Sequence, residues 1–304
     1  MGPTAAGKTT AAVELVQRYP FEIISADSAL VYRGLDIGSA KPDAATLAIA
    51  PHRLIDQVDP ADAYSAGRFR EDALLAMAEI TAAGRIPLLV GGTGLYLRAL
   101  DRGLARMPAA DAAVRAQIDA QAAASGWPAM HQQLAQVDPA AAARIHPNDS
   151  QRIQRALEVF SISGQPISAL QQQERSQACA DTVYRVAWSR SRDQLNNNIE
   201  KRFKLMMENG FLSEVEALYR RGDLTTDHPA IRAVGYRQLW RHLDGEIDLG
   251  QAVQDAITAT RRLAKRQLTW LRAEPGVVWL DPDSPSAAKR LNQIAARVVQ
   301  SCRY

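Results

Sequence analysis

Cysteine is almost absent: Cys179 and Cys302 are the only two in 304 residues. That excludes a disulfide framework or a cysteine-rich metal site and suits a reducing cytosol, with both side chains read as plain thiols. The five histidines, His52, His131, His146, His228 and His242, lack metal-ligand spacing and read as structural or surface residues. No run reaches the ~18 apolar residues of a membrane span. No charged-then-apolar leader opens the chain. A cytoplasmic protein with no membrane association is therefore expected. No internal repeat is found. One-signed charge is also missing, since the net charge is only +3, so the molecule is not a general polycation.

Gly2-Pro3-Thr4-Ala5-Ala6-Gly7-Lys8-Thr9 fits the phosphate-cradling pattern G-x-x-x-x-G-K-[ST]. Backbone N–H groups of such a loop, together with a helix N-terminus, wrap a di- or triphosphate. Lys8 supplies a point charge, and the Thr9 hydroxyl is placed to hold Mg²⁺. Whether ATP itself binds is open from these residues alone. A loop of this type normally follows a buried strand, yet only Met1 precedes Gly2. A true start upstream of Met1 is expected; mass spectrometry of the native protein finding a mature N-terminus at Met1 would sink that expectation.

The first hundred residues alternate as in a doubly wound α/β core. Strands are predicted at 21–25 and 86–90, and helices at 11–18, 68–83 and from Leu95 to Leu100. Gly91-Gly92-Thr93-Gly94 punctuates the second strand. From Pro108 the texture becomes Ala-, Gln- and Arg-rich, with helix breaks at 126–128, 138–139, 146–147 and Gly164. Alternation returns after Gln177. A strand is predicted at 184–188, long helices at 194–209, 212–221, 231–243 and 249–272, an edge strand at 277–280 and a last helix at 286–299. The expected organisation is a parallel-sheet core flanked by helices, from residues 1–107 and 178–304, with an all-helical insertion at 108–177.

Lys/Arg clusters crowd the second half: Lys201 to Lys204, Arg220-Arg221, Arg232 to Arg241 and Arg261 to Arg266. With Tyr236, Trp240 and Trp270 interleaved, they are the footprint of a polyanion such as nucleic acid. In Arg261–Arg266 the pairs Arg261/Lys265 and Arg262/Arg266 make a charged face suited to phosphates, with Leu263, Leu268 and Leu271 expected on the packed side. Trp127 and Trp188 read as core residues. Asp27 ends the first predicted strand, where ligands of open α/β sheets bind; it can serve as a metal ligand, a proton acceptor or a helix cap.

The run from Ser25 to Pro42, taken with Gly2–Thr9, resembles the tRNA dimethylallyltransferases, also called isopentenyl-tRNA transferases. The resemblance continues through Pro51–Asp56, Tyr64-Ser65-Ala66, Pro87–Tyr96, Arg144–Asp149, Ile231–Gln238 and Thr260–Leu271, in the family's order and over nearly the whole chain. It implies a P-loop NTPase-like fold. It also implies Mg²⁺-assisted transfer of a dimethylallyl group from dimethylallyl diphosphate to N6 of an adenosine. The target lies just 3′ of the anticodon in tRNAs reading codons that begin with U. Asp27 then matches the base, Lys8 and the loop, with Thr4, stabilise the leaving diphosphate, and Thr93 lies near the metal and the target base. Arg202 is a further diphosphate contact. Contacts to the tRNA anticodon stem-loop fall on Asp27, Ser28, Ala29, Leu30, Thr93 and Arg115, on Gln151, Arg152, Ile153, Gln154 and Arg155, and on Arg232, Ala233, Val234, Gly235, Tyr236 and Arg237. The family is usually monomeric.

Two positions depart from the family pattern: Ala29 stands where Gln is frequent, and Ser39 where Thr is common. Neither removes a proposed catalytic group. Three rivals use fewer of the residues. A small-metabolite P-loop kinase leaves Val90–Thr93, the insertion and the basic helices without a use. An RNA-binding module leaves the loop and Asp27 idle. A transferase acting on free adenine nucleotides needs neither the insertion nor the basic helices.

Overall fold

The computed structural model describes residues 1–172 and 183–302. The predicted change of texture after Gln177, and Cys179, lie outside the described residues. The chain divides into two compact units, Met1–Leu100 with Ala180–Tyr304, and Asp101–Cys179.

In the first unit β1 (Phe21–Ala26), β2 (His52–Arg53) and β3 (Ile86–Gly91) form a parallel sheet in the order β2-β1-β3. A parallel ribbon pairs β4 (Arg185–Trp188) with β5 (Val277–Leu280). All six residues of β1 are buried, as expected of a parallel strand covered on both faces. Its one charged residue, Glu22, is held by Arg53 and Arg85, each at 2.6 Å. Beside β4, the Met1 ammonium donates to the Val186 carbonyl and the Trp188 N–H to the Met1 carbonyl, both at 2.8 Å. The register of β1 on β3 runs from Phe21↔Ile86 to Ala26↔Gly91. It therefore brings two chain turns, Asp27–Ala29 and Gly92–Gly94, side by side at the carboxyl end of the sheet.

Helices cover this core where predicted, at Lys8–Arg18, Ala66–Ala82, Arg192–Glu208, Phe211–Tyr219, Leu249–Arg272 and Ala287–Ser301. Their starts are chemically marked. Ser65 caps the Arg68 N–H, Asp248 caps the Gln251 N–H, and Ser191 with Gln194 forms a reciprocal capping box. One predicted helix is shorter than expected: it spans Tyr236–Leu243, not 231–243. Gly235 adopts φ +97°, and the preceding residues form a turn in which the Ile231 and Arg232 N–H groups both donate to the His228 carbonyl. Apolar spacing concealed that turn. The short helix Ala44–Ile49 and β2 were not expected.

The second unit holds helices at Ala112–Ser125, Trp127–Val137, Pro139–Ala142, Ser150–Ser163 and Ile167–Gln172. Breaks fall at the Gly, Pro and Asp positions predicted. Asp138 illustrates why: buried, it caps the Ala141 N–H and accepts from both the N–H and the hydroxyl of Ser168. The core gathers Ile118, Met130, Leu134, Ile153, Leu157 and Leu170, with Trp127 packed against it. Among the described residues no helix is long and apolar enough to cross a membrane.

Candidate active site

At the carboxyl ends of β1 and β3 the first unit forms a solvent-open cavity of about 600 Å³. Its polar wall includes Thr4, Lys8, Asp27, Ser28, Thr93 and Arg202; its apolar wall includes Tyr32, Tyr64, Tyr96, Phe203, Met206 and Trp270.

The Gly2–Thr9 loop turns back on itself because Ala5 (φ 63°) and Gly7 (φ 85°) are both left-handed. Such a backbone points successive N–H groups inward, which suits an anion. Lys8 Nζ lies over the loop and donates to the Pro3 carbonyl at 2.8 Å. Arg202, from the 192–208 helix, donates to the Thr4 hydroxyl, and Asn198 one turn earlier donates to the Ala5 carbonyl at 3.3 Å. Gln267, from the 249–272 helix, accepts from the Thr4 N–H at 2.8 Å and donates to the Gly92 carbonyl at 3.0 Å. Only glycine fits beside that amide: a Cβ on Gly92 would stand 2.4 Å from Gln267 Nε2 and 3.0 Å from the Gly2 carbonyl oxygen.

Burial pushes the Lys8 ammonium down to about 8, with nearby Arg202 adding to the shift and Asp27 opposing it. Burial also lowers Arg202, again against Asp27. Two desolvated cations thus share one carboxylate, and a desolvated charge without a counter-charge is costly. An anionic ligand at the loop removes that cost.

Asp27 is fixed by its own turn, Oδ1 accepting from the Ala29 N–H at 3.0 Å. Thr93 holds the adjacent turn in place. Its N–H donates to the Ala26 carbonyl, and its hydroxyl accepts from the Ser28 N–H at 3.0 Å and donates to the Ser28 hydroxyl at 3.3 Å. Its carbonyl receives the Tyr96 and Leu97 N–H groups, so the backbone of Thr93 starts the next helix while the side chain faces Ser28. Tyr96 stacks on Phe69 with centroids 4.3 Å apart and donates to the Tyr64 carbonyl. Burial raises the Tyr64 and Tyr96 phenols, with Asp27 adding to the effect on Tyr96, so both stay neutral.

Of the other residues singled out in the sequence, Ala29, Arg232, Ala233, Val234 and Tyr236 line the same cavity. Leu30 is half-buried, Gly235 is buried and Arg237 is exposed. Gly2, Pro3, Ala5, Ala6, Gly7 and Thr9 build the loop rather than the cavity wall. Leu263, expected on the packed side of its helix, lines the cavity with Thr260, Arg266, Gln267 and Trp270, while Arg262 and Lys265 are exposed.

The second unit carries its own cluster. The fully buried Glu158 carboxylate grips Arg115 (2.7 and 3.1 Å) and Arg155 (2.6 Å) and accepts from the Asp111 N–H at 2.9 Å. Arg152 pairs with Asp149, Gln154 donates to Asp119 at 2.6 Å, and Gln151 is exposed. Ile153 differs from the expectation: it is fully buried in the helical core, so its side chain offers nothing to a polyanion. Ile153→Ala is accordingly expected to cost about 2–5 kcal/mol of stability. Thermal denaturation checks this; unchanged melting with weakened RNA binding would restore the contact role.

Gln267, Asn198 and Glu214, described below, were not singled out in the sequence. Gln267 lies within Thr260–Leu271, and its i, i+3 spacing to Trp270 is the one sequence signal for it. All five histidines lie away from the cavity wall. Among the described residues no group of three His, Cys, Asp or Glu could hold a metal.

Comparison with known proteins places these features in context. A family model described as IPP transferase matches residues 30–274. A tRNA dimethylallyltransferase of Thioalkalivibrio sulfidiphilus is 59% identical over 303 residues, covering 98% of this chain and 95% of that protein. The crystal structure of a full-length tRNA isopentenylpyrophosphate transferase from Bacillus halodurans shares 36% identity over 99% of this chain and 95% of its own, with a TM-score of 0.69. A eukaryotic dimethylallyltransferase acting on tRNA shares 24% identity and a TM-score of 0.82 over 99% of this chain and 78% of its own, a likeness of fold.

Proposed function

This chain belongs to the IPP transferase family, and from that premise we infer how its cavity works. The reaction is a dimethylallyl transfer to tRNA. A dimethylallyl group moves from dimethylallyl diphosphate to N6 of the adenosine 3′-adjacent to the anticodon, in tRNAs reading codons that begin with U. The observation that carries the assignment of roles is one carboxylate, Asp27, facing two desolvated cations, Lys8 and Arg202, in a single cavity.

The exocyclic amine of adenine is a poor nucleophile because its lone pair is delocalised into the ring. As its nitrogen bonds to the allylic carbon, the carbon–oxygen bond breaks and the electron pair leaves with diphosphate. The amine proton passes to Asp27. Charge growing on the leaving group meets Lys8, Arg202 and the loop N–H groups, which are already fixed in place. The aromatic wall keeps water from the allylic carbon, and Thr93 keeps the Ser28 turn, and Asp27 with it, in position. To reach the carboxylate, the adenine must leave its stack, as single-stranded RNA loops allow. Arg115, Gln151, Arg152, Gln154 and Arg155 on the helical unit, and Arg232 and Arg237 on the core, would contact the anticodon stem-loop.

Hard oxygens are available from Thr9 next to Lys8 in the loop and from Asp27 and Thr93 in the cavity wall, too few to cage a metal alone. That set fits Mg²⁺, which keeps much of its water and shares phosphate oxygens. We propose that Thr9 holds it with the donor diphosphate; when bound, the ion would spread the negative charge of the leaving group. We propose that the enzyme acts as a monomer. We place the enzyme in the cytoplasm with its tRNA.

Incubation with Mg²⁺, dimethylallyl diphosphate and unmodified tRNA should add one dimethylallyl group to the target adenosine by mass spectrometry. Phosphoryl transfer from ATP to small acceptors without such a product would overturn the assignment.

A further inference from the structure

Glu214 occupies an unusual position for a carboxylate. It projects from the 211–219 helix toward the loop 36–38 and takes three consecutive backbone N–H groups. Oε2 accepts from Asp36 at 3.1 Å and Ile37 at 2.7 Å, and Oε1 accepts from Gly38 at 3.1 Å. Oε1 also receives the Tyr236 hydroxyl at 2.5 Å. Converging N–H groups of this kind form a nest for an anion, and here the anion is supplied by the chain itself.

The grip acts on the cavity without Glu214 lining it. Gly38, Ser39 and Tyr236 are wall residues, together with Arg232, Ala233 and Val234 just before Tyr236. The fit is close at Gly38, where a Cβ would stand 2.1 Å from the Phe211 ring and 2.7 Å from that of Tyr236. The far end of the same loop is anchored separately. Lys41 Nζ, with its side chain almost fully buried, donates to the Tyr32 carbonyl and to the Asp36 and Asp56 carboxylates. Tyr32 closes the segment that begins at Asp27 and itself lines the cavity.

We propose that Glu214 is a positioning residue for the acceptor adenine: it binds the 36–38 loop to Tyr236 and so fixes the wall on which the extruded base is held. The role rests on the tRNA-dimethylallyl reading above. It concerns the acceptor side, because the donor contacts at Thr4, Lys8 and Arg202 lie on other elements, and Glu214 makes none of them.

Glu214→Gln keeps the size but turns an N–H₂ group toward backbone donors. Tyr236→Phe removes only the hydroxyl. For Glu214→Gln, steady-state kinetics with an anticodon stem-loop should show KM for the RNA raised about tenfold, as loss of a charge-assisted hydrogen bond implies. KM for dimethylallyl diphosphate should stay within about twofold. Tyr236→Phe should reproduce part of the RNA effect, and the double variant should be less than additive, since the two groups act as a unit. Equal losses in both KM values alongside a lowered melting temperature, or an unchanged RNA KM, would reduce Glu214 to a brace of the fold and overturn the proposal. A wild-type protein that transfers no dimethylallyl group overturns the underlying reading instead. The wild-type control therefore separates the two failures.

Discussion

Asp27→Asn should lower the rate of dimethylallyl transfer by about 10³-fold while tRNA binding stays within about twofold of wild type. The magnitude follows from what a positioned base contributes, about 10²- to 10⁴-fold. Asparagine is the informative replacement. It has the same shape, and its carbonyl oxygen can still accept the Ala29 N–H that fixes Asp27 at 3.0 Å. The turn, and with it Ser28 and Thr93, should be undisturbed. What is lost is the capacity to take a proton as the C–N bond forms, together with the negative charge facing Lys8 and Arg202, which saturating donor diphosphate replaces. Single-turnover kinetics with saturating donor, beside equilibrium binding of tRNA, separates the effects; equal loss in both would make Asp27 a structural residue of the turn.

Removing the loop cation should have the second-largest effect, because its charge opposes charge that develops only as diphosphate leaves. Lys8→Ala is expected to lower kcat/KM for dimethylallyl diphosphate by about 10²- to 10³-fold, the range seen when one preorganised donor is removed from a developing anion. Lys8 also sets a pH signature. With its ammonium pushed down to about 8 by burial, it is charged below that pH and neutral above it. The charged form binds the anion, so diphosphate affinity should be flat below about pH 7 and weaken as pH rises through about 8. Above that point it should weaken by up to about tenfold per unit for as long as the bound complex keeps the proton. Isothermal titration with inorganic diphosphate from pH 6.5 to 9.5 reads this directly. The ionisation of diphosphate itself contributes equally to both proteins, so the loss centred near 8 should disappear in Lys8→Ala while that shared background remains. An identical slope in that variant would assign the titration to another group.

The parts of this architecture written in short runs were legible in the sequence. The strand ending at Asp27, the Gly91–Gly94 turn, the Gly2–Thr9 loop and the long helix 249–272 each depend on neighbours within a few residues. The helical second unit was legible for the same reason, since Gly126, Asp138 and Gly164 break helices by local chemistry. The turn at 231–235 was not, because Ile231, Ala233 and Val234 keep an apolar pattern while Gly235 takes a backbone angle that the pattern does not encode. Ile153 sat inside a polar run, and burial against Met130 and Leu134 decided its role. Gln267 and Glu214 were hidden for another reason. Their partners lie far away in the chain, at Thr4 and Gly92 for one and at 36–38 for the other, and spacing along the sequence carries no trace of such pairings.

Gln267 also defines a position with almost no chemical alternatives. It must offer an acceptor to the Thr4 N–H and a donor to the Gly92 carbonyl at once, from one planar group at the end of a two-carbon stem. Glutamate supplies only the first, lysine only the second, and asparagine has both groups but is one methylene too short. The loop that receives the diphosphate and the turn that holds Thr93 are thus joined through one side chain that must donate and accept at once.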